Sequence, residues 1–153
     1  FSPAFLERCR RFLREPGISV VRDAQIATRT AQVHAMHDPT EGGLATALVE
    51  LATAGKVGLR VHQEAIPVLP ETQALCTHLG LDPLGLIASG ALLIAVAPSD
   101  AAHVVAALEA EGIRASPMGE ATPHQGELVL VGPDGTERPL PTFPRDELAR
   151  LFG

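Results

Sequence analysis

Met36-His37-Asp38-Pro39-Thr40-Glu41-Gly42-Gly43-Leu44 is the stretch on which the reading of this chain turns. Gln32 to Met36 reads as a short strand, Asp38 to Gly43 as a tight loop, and Leu44 to Ala54 as a helix. Leu44, Leu48 and Leu51 recur on one face of that helix, and Gly55 is placed to stop it. The first N–H groups of a helix lack intrahelical partners and carry partial positive charge, so such a junction receives phosphate or carboxylate well. Gly42 and Gly43 present no side chain to an approaching ligand. Asp38 stands where a carboxylate can hold Mg²⁺ against that phosphate, since Mg²⁺ takes one or two carboxylates plus phosphate oxygens. The same residues are also good turn formers: Asp-Pro starts turns and Thr40 suits a helix cap. Spacing alone leaves both readings open. No Lys follows the glycines, so this is not a phosphate loop of the Lys-containing type.

Outward from the loop, helices alternate with short strands. Ser2-Pro3 is a hydroxyl cap followed by Pro at the first helical position, and Phe5, Leu6, Cys9, Phe12 and Leu13 follow at helical spacing. Pro16-Gly17 ends that element, and Ser19 is placed to cap a second helix through Ala27. Val57 to Val61 alternates as a strand does, and Pro70 opens a helix closed by Gly80. Leu92 to Ala97 is nearly continuous aliphatic, which predicts an interior strand buried on both faces. Pro98-Ser99-Asp100 turns into a helix from Ala101 to Glu111, stopped by Gly112, with a strand expected near Ile113 to Ala115. Glu127 to Val131 and the turn Pro133-Asp134-Gly135 predict a late hairpin, and a short helix is expected from Arg145 to Phe152. The class is α+β: a mixed sheet covered by helices.

At 153 residues the chain fits one domain, residues 1–153, with enough length to bury a core. Aromatics are only 3%, with no Trp or Tyr, so surfaces that stack bases or sugars are disfavoured. The net charge of −6 argues against nucleic acid or an anionic membrane as partner. No apolar run reaches the roughly 18 residues of a membrane span. Cys9 and Cys76 form neither a disulfide framework nor a zinc signature, and both are expected as buried thiols. The chain starts at Phe1 with no signal-peptide pattern, and a fragment of a longer cytoplasmic protein is expected. Of six scattered histidines, His37, beside Asp38, is the one placed for catalysis. Ser89-Gly90 reads either as a substrate contact or as a turn entering the next strand.

His37-Asp38-Pro39-Thr40-Glu41-Gly42-Gly43-Leu44-Ala45 resembles the glycine-rich loop of the C-terminal domain in the aminoimidazole ribonucleotide (AIR) synthetase superfamily. The likeness extends through Ile66-Pro67-Val68, Leu79 to Leu84, Ser89-Gly90-Ala91-Leu92-Leu93 and Met118-Gly119-Glu120, which is similar to a Gly-Glu turn of the family. It is nearest to the hydrogenase maturation factor and its AIR synthase-related relatives. The resemblance implies an α/β/α layering, partly ferredoxin-like, and a chain that is the second half of a two-half enzyme. By the same resemblance, an N-terminal half supplies most ATP and Mg²⁺ ligands and makes the homodimer, while this half closes over the site. The implied chemistry is ATP-dependent phosphoryl transfer to a heteroatom of a small-molecule substrate. Asp38 would help bind Mg²⁺, and Thr40, Gly42 and Gly43 would line the phosphate side. Ser89 and Gly90 would meet substrate, and His37 would serve in catalysis.

Two departures weigh on this. The hydrogenase maturation factor usually carries Arg where this chain has His37 and Glu41, so two cations beside a phosphate site are missing. That factor also ends in a Cys, whereas this chain ends Arg150-Leu151-Phe152-Gly153, which disfavours cyanide-ligand chemistry for a chain ending there. The alternative is a non-catalytic ligand-binding or protein-interaction module that kept the fold. The expectation for the fragment alone is no tightly bound cofactor and no enzyme-like ATP turnover, because it offers a single candidate carboxylate for the metal.

Overall fold

A computed structural model describes residues 1–152. Its helices are α1 (Pro3–Arg11), α2 (Val21–Thr30), α3 (Gly43–Gly55), α4 (Pro70–Leu79) and α5 (Pro98–Ala110). Its strands are β1 (Val33–His37), β2 (Gly58–His62), β3 (Leu93–Val96), β4 (Gly119–Thr122), β5 (Leu128–Val131) and β6 (Glu137–Pro139). Short 3₁₀ turns occupy Gln63–Ala65, Pro83–Gly85 and Glu147–Leu151. The result is a mixed α/β fold, with helices covering the sheets.

Two ladders form. β1 pairs antiparallel with β3, and a second sheet runs β4-β2-β5-β6 with β2 parallel to β5 and the other pairs antiparallel. Helices lie on both sides of the β1–β3 ladder. On one side Ala27 of α2 and Val104 and Leu108 of α5 are buried against Val33, Met36, Ile94 and Val96. On the other, Ala45, Leu48 and Ala52 of α3 meet Leu93, Val61 and the fully buried Leu130. The apolar periodicity of α3 thus pins the helix that follows the glycine loop.

Leu92 to Ala97 is corrected. The strand is shorter and has one hydrogen-bonded neighbour, so it is not interior to a sheet. Its continuous apolar run has another cause: Leu93 faces one core cluster while Ile94 and Val96 face the other. Two-sided packing and two hydrogen-bonded neighbours are separate properties, and an apolar run reports only the first.

Other elements also differ from expectation. Ile113 to Ala115 is not a strand, although Ile113 and Ala115 pack on the α2–α5 cluster. Gly119-Glu120 lies in β4, not in a turn. Ser19 does not cap α2, which starts after Val20 with no side-chain cap. Gly55 is the last residue of α3, and the left-handed C-cap falls on Lys56 at φ 53°. The last helix is a 3₁₀ turn over Glu147–Leu151 only. Cys76 is buried, but Cys9 is only half-buried on α1, which buries no residue. The Ser2 cap holds, its hydroxyl accepting from the Phe5 N–H at 3.2 Å.

Candidate functional site

β1 ends at His37, and the chain turns through Asp38, Pro39, Thr40 and Glu41 into α3. Pro39 is fully buried and anchors the turn, while Asp38, Thr40 and Glu41 are exposed around it. Gly42 is the N-cap at φ 77° and Gly43 the first helical residue at φ 66°. Both glycines are conformational necessities. A Cβ on Gly43 would lie 2.5 Å from the carbonyl oxygen of Leu86 and 2.6 Å from that of Leu84, so the loop rests directly on the backbone after Pro83.

The two loop N–H groups are engaged within the chain. The Gly43 N–H donates to the Thr40 carbonyl at 3.1 Å. The Gly42 N–H donates to Oδ2 of Asp146 at 2.8 Å, although 104 positions separate them. A carboxylate therefore already stands at the start of α3, where the dipole favours negative charge. Asp146 also accepts the Leu148 N–H at 2.8 Å, which fixes its rotamer.

His37 Nε2 lies 2.7 Å from Oε2 of Glu50, in the second half of α3. A carboxylate on Nε2 favours the proton there, leaving Nδ1 as the acceptor nitrogen. Ser89-Gly90 comes to the same rim: the Ala88 N–H donates to the Thr40 carbonyl at 3.4 Å. Gly90, at φ 99°, backs onto the Gly17 carbonyl and Ile18, while Ser89 is exposed. The residues singled out from sequence thus gather around Thr40: His37 and Asp38 before it, Gly42 and Gly43 after it, and Ser89 and Gly90 across from it.

Asp38 is one exposed carboxylate, and among the described residues no group of three or more His, Cys, Asp or Glu side chains is placed to hold a metal. That donor set fits a Mg²⁺ shared with phosphate oxygens and with ligands from elsewhere, since Mg²⁺ needs only one or two carboxylates from protein. The oxyanion on Gly42 shows that the loop accepts negative charge.

Asp146 and Glu147 are the residues that sequence reading missed. Glu147 is buried at 4% exposure, accepts the Asp82 N–H at 2.8 Å, and meets Arg150 at 2.7 and 2.9 Å. The Arg150 hydrogen bond, then that of the Asp82 N–H, holds its carboxyl below the usual glutamate range. With Phe143 packed against Gly85, this segment straps the loop's back. Burial, with smaller effects from Asp82 and Glu147, pushes the nearby Cys76 thiol up, as befits an inert core residue.

Among the described residues no helix is long and apolar enough to cross a membrane. A family model described as AIR synthase related protein, C-terminal domain, matches residues 12–132. Carbamoyl dehydratase HypE of Rhizobium leguminosarum bv. viciae is 44% identical over 90 residues, covering 59% of this chain and 26% of that protein. The crystal structure of E. coli HypE, a hydrogenase maturation protein, aligns with a TM-score of 0.76 at 32% identity, covering 86% of this chain and 42% of that one. A HypE solved in complex with ATP aligns with a TM-score of 0.74 at 28% identity, covering 82% of this chain and 40% of that one. The chain spans less than half the length of these relatives.

Proposed function

The chain belongs to the AIR synthase-related C-terminal domain family, and from that premise we propose that it is the closing half of an ATP-dependent enzyme that moves a phosphoryl group onto a substrate heteroatom. Its first partner is an N-terminal half that carries most of the nucleotide site. What supports this reading is that exposed Asp38, Thr40 and Ser89, with half-buried His37 beside them, are brought together by the Ala88 N–H on the Thr40 carbonyl, in a fold shared with a HypE solved in complex with ATP.

Catalysis of this class is chiefly positioning and charge neutralisation, so a half-site need contribute only a few groups. Mg²⁺, when bound, neutralises charge on the transferring phosphate and leaves it open to attack. Asp38 gives that ion one carboxylate. Thr40, exposed on the turn, offers its hydroxyl to the phosphate or substrate side. Gly42 and Gly43 shape the backbone there, their missing side chains making room for Thr46 and for the Leu84 and Leu86 carbonyls. Ser89 and Gly90 form the opposing lip for substrate. His37, oriented by Glu50, keeps an acceptor nitrogen at the rim to take a proton from an attacking heteroatom. A non-catalytic module is the second reading, favoured by one observation: both loop N–H groups are satisfied inside the chain.

One experiment separates the two. The 153-residue chain alone hydrolyses Mg²⁺-ATP at the buffer background. In a protein carrying both halves, Asp38→Asn lowers turnover on the order of 10²-fold, as loss of a charge-stabilising group does. Its Tm stays within about 2 °C of the parent, because Asp38 is exposed. Matched losses of Tm and activity would assign Asp38 to the turn instead.

A further inference from the structure

On the far side of the strap lies an open cavity of about 680 Å³ that the glycine loop does not enter. Its volume falls in the range of small-molecule sites. Leu84 and Phe143 give its lining apolar surface, and Gln63, Gln73, Asp82, Arg138 and Arg150 line it as well. The charges there are unevenly satisfied. Glu147 is saturated by Arg150 and the Asp82 N–H, and the Asp82 carboxylate accepts the Leu84 N–H at 2.9 Å. Arg138 has a neutral partner: it donates to Oε1 of Gln63 at 2.9 Å, and among the described residues no acid pairs with it.

A guanidinium carries five N–H donors in a planar fork suited to a carboxylate, and a single amide oxygen uses one of them. The same contact turns the amide nitrogen of Gln63 free to donate. Gln73 spends its amide nitrogen on Thr77 at 3.2 Å, which leaves its carbonyl as an acceptor. The cavity thus offers a cation without an acid partner, one further donor and some apolar surface. Its acceptors are the Gln73 carbonyl and the second oxygen of the Asp82 carboxylate, which no cation pairs with among the described residues. We propose that it binds a small organic acid, with the carboxylate on Arg138 and a neighbouring N–H group toward Gln73. This site is independent of the phosphoryl-transfer reading, since no residue of the Thr40 rim lines it.

The test is a chemical-shift titration of the 153-residue chain with acetate, N-acetylglycine and N-benzoylglycine. The neutral N-acetylglycinamide and inorganic phosphate serve as comparisons. At least one N-acylglycine saturates shifts at Gln63, Gln73 and Arg138, and it binds more tightly than acetate because of its amide. Arg138→Gln, on an exposed strand position, weakens that binding about tenfold or more while the Tm is unchanged. The neutral amide fails to saturate, and phosphate binds more weakly than the acylglycine. Linear, unsaturated shifts with all three acids overturn the proposal. Equal binding by Arg138→Gln, or phosphate binding as tightly as the acylglycine, overturns it as well.

Discussion

Replacing Glu147 by alanine tests how the C-terminal strap holds the back of the glycine loop. The carboxylate is buried and joins two chain segments, through the Asp82 N–H at 2.8 Å and Arg150 at 2.7 Å. A hydrogen bond to a charged group is worth about 1.5–3 kcal/mol, and its loss leaves the Asp82 N–H without a partner. Arg150 is half exposed, so its ion pair adds only about 0.2–1 kcal/mol. Together the expected loss is roughly 2–4 kcal/mol. For a chain of this size each kcal/mol lowers Tm by about 2–4 °C, giving a drop of roughly 4–16 °C. Urea and thermal unfolding followed by circular dichroism measure it. Glu147→Gln keeps an oxygen for the Asp82 N–H and falls by less. Acid adds an independent readout. The folded carboxyl lies below its ordinary value of 4.5, so the unfolded chain binds that proton more readily. Its stabilisation is complete above that ordinary value and disappears as pH falls from there through the lower folded value. The parent therefore loses more stability on acidification than Glu147→Ala does. Residual acid sensitivity in the variant comes from Asp134, lowered chiefly by the Thr136 hydroxyl, and Glu137, lowered chiefly by Arg60. An alanine variant within about 0.5 kcal/mol of the parent, with an unchanged acid profile, would refute the assignment.

Gly43→Ala meets backbone carbonyls on two sides at a left-handed φ, and those atoms cannot swing away. It costs about 2–4 kcal/mol by chemical denaturation, and a loss below about 1 kcal/mol would show that the loop can retreat from Leu84. Lys56→Gly relieves the one positive-φ residue other than glycine among those described, at φ 53°. Its gain is about 0.5–1 kcal/mol, because relief of the left-handed strain outweighs the added unfolded-state entropy; a lower Tm would contradict that balance.

The local chemistry of element ends made much of the fold legible. Ser2-Pro3 started α1, Pro70 and Gly80 bounded α4, and the Pro133-Asp134-Gly135 turn joined β5 to β6, because each rests on neighbours in sequence. Where the deciding contact is distant, reading failed in a consistent way. β4 carries Gly119, Glu120, Ala121 and Thr122, mostly exposed, with no apolar alternation to announce it; it is a strand because β2 offers it a ladder. Ile113-Arg114-Ala115 is the converse, an alternating stretch whose Ile113 and Ala115 have a core to enter but which has no strand to pair with. Leu93 to Val96 shows why ladder position was illegible: its side chains declare two packed faces and say nothing of how many strands lie alongside.

The candidate site divides along the same line. His37 to Gly43 is contiguous, so strand end, turn and helix start could be placed from residue types alone. The Glu50 partner of His37 lies 13 residues away, and the link of Ala88 to Thr40 is longer still. Asp146 was out of reach, yet the need for something like it was not. A helix that begins with Gly42 as its N-cap has no side-chain oxygen of its own to receive the first N–H groups. Gly42 is buried, and a buried N–H requires an acceptor from somewhere. The glycine that opens the loop to an oxyanion thereby creates the demand that an internal carboxylate meets. Any anion that takes the Gly42 N–H does so in exchange for Asp146, and its affinity is the difference between the two.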